Sequence, residues 1–375
     1  MDNNRGMFRP GWRATIVISI LATSAAFAQS PAPSSPPAPG KSVAPSPSPS
    51  ATLTREELIN SLSPADVQAA ITLLKNNFTN PDAITETEMN RAMLEGLLTR
   101  QSHGLMLLPS REGAPAPDAV FYSEIFEDHI GYLRLGALTN SNLKAMDKKL
   151  AEFSQKKVDA LIVDLRDSST ASNFQVAAEF AKRFCPKGKL LFTLRKPVAR
   201  QDQPFTSERD PAFQGVMAVL ADQETAGGAE ALASVLRLYD KALIIGQSTA
   251  GRAVEYSDSP LPGGKILRVA TAEVVLPDGQ SLFPDGAKPD LPVEMSMSEK
   301  RQIFQLSPDK GMAPFIYETE RPHLNEASLL AGTNPELDAA EAQRHNRGRE
   351  KLPARDPVLQ RALDLVTSLE IYQRR

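Results

Sequence analysis

The sequence predicts an α/β fold, and three observations carry that prediction. An apolar run over residues 216–221 is followed by a turn of small residues, a helix-period segment and a second apolar run over 242–246, the pattern of strand, turn, helix, strand. Leu143, Met146, Leu150 and Phe153 recur at helical spacing, and segment 174–184 is likewise amphipathic, as helices covering a sheet are. At 375 residues the chain is long enough for one sizeable core with appendages.

The elements follow in order from the N-terminus. Arg5, Arg9 and Arg13 precede or flank an apolar stretch over 14–25, and Ala26-Phe27-Ala28 stands before Gln29, the order of a signal peptide (1–28) cleaved after Ala28. A membrane anchor is the alternative, but the apolar run falls short of the roughly 17 to 25 residues that span a bilayer. No cysteine there marks a lipoprotein. Residues 29–51 mix proline with serine and alanine, a composition that stays extended as a tether or as a plain disordered leader. Residues 52–109 read as helical. Ser63 caps a helix that opens with Pro64 and sets Val67, Ala70, Ile71 and Leu74 on one face. Thr85 and Glu88 form a capping-box pattern ahead of Met89, Met93, Leu97 and Leu98, and the methionines read as packing. A core is expected over 118–293. Cys185 also reads as packing, and as the only cysteine it excludes an intrachain disulfide. The extension 294–375 is charged and weakly patterned until Asp356-Pro357. There Val358, Leu359, Ala362, Leu363, Val366 and Leu369 describe a capped amphipathic helix, which either packs on its own chain or docks a partner.

The chemistry concentrates in two stretches, Thr225-Ala226-Gly227-Gly228-Ala229-Glu230 and Gln247-Ser248-Thr249-Ala250-Gly251-Arg252. A small-residue turn at a helix N-terminus commonly holds a nucleophile, because unpaired amides and the helix dipole favour negative charge there. In these residues the chain resembles the tail-specific, or C-terminal-processing, serine peptidases, whose centre reads Thr-Ala-Ser-Ala-Ser-Glu with a lysine in a later Pro-Thr-Phe-Gly-Lys-Gly. The resemblance implies that Gly227 stands at the nucleophile position, Arg252 at the position of the lysine base, and Tyr256 where a glutamine orients that lysine. Glycine has nothing to attack with, and arginine stays protonated up to a pH above roughly 12. In the family Asn-Pro-Gly-Gly follows Asp-Leu-Arg and frees a backbone amide for the oxyanion. Here Asp164-Leu165-Arg166 continues Asp167-Ser168, with Ser169, Thr170 and Ala171 as the oxyanion-loop equivalents.

The parts of the family pattern that build a fold survive. Residues 130–135 and 160–166 resemble its first core strands, Leu261-Pro262-Gly263-Gly264 and 270–281 its late strands, and Lys288-Pro289-Asp290-Leu291-Pro292-Val293 its closing stretch. The resemblance, which covers 130–293, implies a ClpP/crotonase-like spiral ββα core with an N-terminal helical cap and a partly helical C-terminal tail. Many members of the family carry a PDZ module at this point, but only about twenty residues separate 108 from 130 where a domain needs about 50, so none is expected there. Segment 112–117 reads as a loop.

Composition narrows the partners. Lys+Arg 42 against Asp+Glu 45 leaves a net charge of -3, which gives no basic surplus for nucleic acid. His103, His129, His323 and His345 show no ligand spacing, so neither a metal nor a cofactor is expected. Thr225, Ser248 and Thr249 are cleft candidates for a replacement nucleophile, and Lys241 for a base, but all read better as turn residues. Two functional readings stand. The first is an exported, non-catalytic pseudopeptidase, periplasmic or extracellular, that binds an extended peptide or scaffolds an envelope protein. The second is an active serine-type endopeptidase with an unrecognised catalytic arrangement, acting in proteolysis of exported proteins. Gly227 and Arg252 are expected to face one cleft, with the arginine neutralised by Glu255, Asp167 or Glu224.

Overall fold

Apolar residues that alternate between two faces build one mostly parallel sheet with helices on both sides. The computed structural model describes residues 54–109, 118–168, 173–316 and 354–373. The expected signal peptide, the proline-rich linker, the loop over 112–117 and the oxyanion-loop equivalents Ser169, Thr170 and Ala171 lie outside the described residues. The chain divides into two units, Met1–Asn77 and Phe78–Arg375.

The first unit contributes α1 (Arg55–Asn60) and α2 (Pro64–Asn77). Thr54 and Glu57 close a reciprocal capping box at α1. The Asp66 amide donates to Ser63 Oγ while Asp66 Oδ2 accepts from the Ser63 amide, so Ser63 caps α2 as its sequence implies.

The second unit opens with α3 (Glu86–Arg100), capped by Thr85, whose Oγ1 accepts from the Glu88 amide. Met93 is 61% exposed and Leu97 47%, which corrects the expectation that this face is packed. The helix is peripheral, and among the described elements it meets chiefly β1 (Leu105–Leu108) and the short turn of helix at Pro81–Ile84.

The core sheet contains β2 (Tyr122–Phe126), β3 (Ile130–Arg134), β4 (Ala160–Asp164), β7 (Val216–Ala221), β8 (Leu243–Gly246) and β11 (Leu291–Pro292), ordered β11-β8-β7-β4-β3-β2. Only β2 runs antiparallel to its neighbour. It is joined to β3 by a tight turn in which Glu127 and Asp128 both take positive φ. On one face Leu133, Leu161, Val163 and Val219 pack under α4 (Asn140–Gln155), α5 (Phe174–Ala181) and α6 (Gly228–Leu238). On the other, Tyr132, Ile162, Ala218 and Leu220 meet Ile303 of α7 (Met297–Lys310) and Val358, Leu359, Ala362 and Leu363 of α8 (Pro357–Gln373). The C-terminal helix therefore packs back on its own chain. α7 has no counterpart in the sequence reading, because its residues are mostly charged or polar and Pro308 sits in its last turn.

A second sheet joins β1, β5 (Leu190–Arg195), β6 (Gln203–Thr206), β9 (Val254–Pro260) and β10 (Ile266–Val275), with β10 at its centre. β10 starts earlier than the strand expected from 270. Cys185 is fully buried in the core, and burial pushes its thiol up to about 12, which suits packing and not reactivity. Among the described residues no helix is long and apolar enough to cross a membrane.

Candidate active-site region

The turn after β7 and the loop after β8 are drawn together by one buried carboxylate. Gly227 caps α6 with φ 61 and ψ -122, a left-handed backbone that favours glycine. Its N–H donates to Oε1 of Glu230 at 2.9 Å, and the N–H of Arg252 donates to the same oxygen at 2.8 Å. Oε2 accepts from the Gly251 amide at 2.7 Å and from Thr249 Oγ1 at 2.5 Å. Gly251 also has positive φ, and a Cβ there would lie 1.8 Å from the carbonyl oxygen of Pro284. Burial pushes the Glu230 carboxyl above its ordinary value, while these four donors pull it the other way and hold it as an acceptor. Glu230 stands in the first motif, but its role is set by the loop of 249–252, which only folding brings to it.

The candidate hydroxyls are committed to structure or lie apart. Thr249 is buried, donates to Glu230 and accepts from the Ala287 amide at 2.8 Å. Thr225 is fully buried, and its hydroxyl bonds with the carbonyl of Leu165 at 3.2 Å and accepts from the Asp222 amide at 3.0 Å. Ser248 is exposed. Among the described residues no serine or threonine hydroxyl has a lysine or histidine nitrogen within hydrogen-bond reach. Tyr256 lies on β9, where its hydroxyl donates to the His103 carbonyl at 2.6 Å, so it ties the second sheet to the segment before β1.

The expected ion pair at Arg252 is not formed among the described residues. Glu255 pairs with Lys196 at 3.0 Å, and Glu224 pairs with Lys300 at 2.8 Å and with Arg301. Asp167 is partly buried, and burial raises its carboxyl. The physical reason is exposure: Arg252 is only partly covered, so water solvates its guanidinium and no buried charge has to be neutralised.

Around this turn the strand ends are locked by charge. Arg166, 1% exposed, spans two carboxylates, Asp164 in its own strand end and Asp356 at the cap of α8. Lys300 of α7, 3% exposed, donates to the Arg166 carbonyl at 2.8 Å and to Asp222 Oδ2 at 2.5 Å. Ser168 Oγ donates to the Gly136 carbonyl at 2.6 Å, and its own carbonyl accepts from Ala226, the residue before Gly227. Neither Asp356 nor Lys300 is marked by local sequence pattern as a partner of Asp164-Leu165-Arg166, because both lie far along the chain.

These features define an α/β core with a sharp strand-to-helix turn of the kind that carries a nucleophile in hydrolases. Residues 129–293 match the model described as peptidase family S41. Over that stretch the chain resembles the tail-specific peptidases of this family. The carboxyl-terminal-processing protease of Synechocystis sp. is 25% identical over 46% of this chain and 40% of its own length. The chloroplastic carboxyl-terminal-processing peptidase 2 of Arabidopsis thaliana is 27% identical over 47% of this chain and 34% of its own. The match thus spans less than half the length of these relatives. A solved photosystem II D1 C-terminal processing protease aligns with 54% of this chain and 55% of its own, at 19% identity and a TM-score of 0.42, a likeness too loose to carry an inference.

Proposed function

We propose that this protein is an exported, non-catalytic member of the tail-specific peptidases that binds extended peptide segments. The observation that carries the reading is the shared oxygen of Glu230. The two positions that correspond to nucleophile and base meet there through their backbone amides, and what they bring is a glycine and a protonated arginine. Thr249 and Thr225 do not replace them, since nucleophile and base have to meet within hydrogen-bond reach. Peptide binding is supported by β9, which starts two residues after Arg252 and among the described strands pairs with β10 alone. An edge with unpaired amides and carbonyls is a template for strand addition. Export rests on the signal-peptide order of the N-terminus.

The test uses purified protein beginning at Gln29. It is expected to leave unfolded proteins and peptides with apolar C-termini intact, to resist serine-directed acylating probes, and to bind such peptides with new amide-exchange protection along β9. Turnover that persists through further purification, or labelling of a single serine, overturns the non-catalytic reading. Absence of any peptide binding overturns the peptide-binding half.

A further inference from the structure

At the opposite end of the core sheet, where its parallel strands begin, three side chains from three elements converge. His129 immediately precedes β3, Asp159 immediately precedes β4, and Glu370 lies near the end of α8. The pairing of Ile130 with Ala160, together with a hydrogen bond from the Asp159 amide to the His129 carbonyl at 3.2 Å, sets the first two side by side. His129 Nε2 lies 3.0 Å from Glu370 Oε2. One ligand-capable atom from each of the three lies within 4.8 Å of the other two.

Two independent features point to a cation. The Glu370 side chain is only 9% exposed, and its other oxygen, Oε1, is sealed from solvent with no hydrogen-bond partner. A buried carboxylate oxygen without a donor is costly, and a second carboxylate beside it adds like-charge repulsion. One divalent ion relieves both costs. In addition, His129 Nδ1 lies 2.5 Å from the Glu127 carbonyl, which orients the ring, and a cation would take the place of the proton that Nε2 shares with Glu370 at 3.0 Å. A histidine fixed by a backbone carbonyl on one nitrogen is prepared as a metal ligand through the other. An imidazole with two carboxylates selects a borderline transition ion over the hard, all-oxygen preference of magnesium or calcium.

We propose that His129 Nε2, Asp159 and Glu370 bind one divalent transition-metal ion of the zinc class, which fastens α8 to the starts of β3 and β4. Three protein ligands leave a fourth position for water or an added ligand. Asp159 and Glu370 border a cavity of about 880 Å³ that also reaches Met217, Leu243 and Arg237, so that position has room. The spacing 129, 159 and 370 is invisible to any local motif.

The test is a zinc titration of the chelator-stripped full-length mature protein, read by competition with a chromophoric chelator and by thermal unfolding. One equivalent is expected, with a rise in Tm of about 5 °C at saturating zinc. His129→Ala and Glu370→Gln should each weaken binding more than tenfold. Asp159→Ala removes the carboxylate beside Glu370, so whatever its metal-free Tm it should lose the zinc-dependent rise. Failure to bind zinc at micromolar concentrations overturns the proposal. So does equal binding by the parent and all three variants, or an equal response to millimolar magnesium.

Discussion

Glu230 shows how one buried carboxylate organises the turn after β7 and the loop after β8. Its carboxylate satisfies three amides and one hydroxyl inside a water-excluded turn. Glu230→Ala strips all four of their acceptor, and leaving each buried donor unpaired costs about 1–3 kcal/mol. The variant should lose at least about 3 kcal/mol in urea unfolding, whereas Thr249→Val, which removes one donor and one acceptor, should lose about 1–3 kcal/mol. A near-neutral Glu230→Ala would show that the clasp is not formed in solution. The same geometry bears on the proposed lack of activity. Gly227→Ser places a side chain at φ 61, a backbone strain of about 1–3 kcal/mol. Gly227→Ser with Arg252→Lys restores a nucleophile and a titratable amine but not the glycines of the family's oxyanion loop. Peptide turnover by the double variant should therefore stay at least about a hundredfold below that of an active relative, as expected when an oxyanion donor is missing. Equal turnover would mean that Ser169, Thr170 and Ala171 supply the missing donors.

Among the elements, α8 matters most to the strand ends beside that turn. Asp356 caps the helix through the Leu359 amide and pairs with both terminal nitrogens of Arg166, all of it excluded from solvent. Asp356→Ala leaves a buried guanidinium with one carboxylate in place of two, and breaking a buried pair costs about 3–5 kcal/mol. Loss of α8 protection in amide exchange, together with a lower unfolding midpoint, checks it; an unchanged midpoint refutes the clamp. The helix itself was legible, because Asp356, Pro357 and the apolar spacing that follows give it a start and a face. Its destination was not, since amphipathicity says that a face is buried and not against what. The strands read at 130–135 and 160–166 were legible through the family resemblance, whereas β5, β6 and β9 carry no comparable pattern; β5 and β9 are held by pairing with β10, and β6 by pairing with β5.

For the molecule as a whole, the sheet separates what the sequence displays from what only the fold assembles. The turn that carries Gly227 and the loop that carries Arg252 could be read because the family pattern is local. The Glu230 clasp, the Arg166 to Asp356 clamp and the His129, Asp159, Glu370 cluster join residues too far apart for spacing to reveal. The clamp gives the molecule a pH dependence whose sign follows from Asp164. Burial alone would raise its carboxyl, but the charge of Arg166 and hydrogen bonds from Arg166 and Tyr132 outweigh it and hold the group below its ordinary value. A carboxyl lowered in the folded state stabilises fully above its unfolded pKa of about 3.9 and loses that contribution as the pH falls towards the folded value. Asp147, Glu179 and Glu224 are lowered in the same direction by their basic partners. These groups should therefore make folding stability fall below about pH 4, partly offset by Asp167, Glu230 and Glu370, whose carboxyls burial raises. Asp164→Asn should be less stable at neutral pH and show a shallower acid limb, measured as unfolding free energy against pH. An acid limb of unchanged slope in that variant would place the titrating groups elsewhere and remove Asp164 as the source.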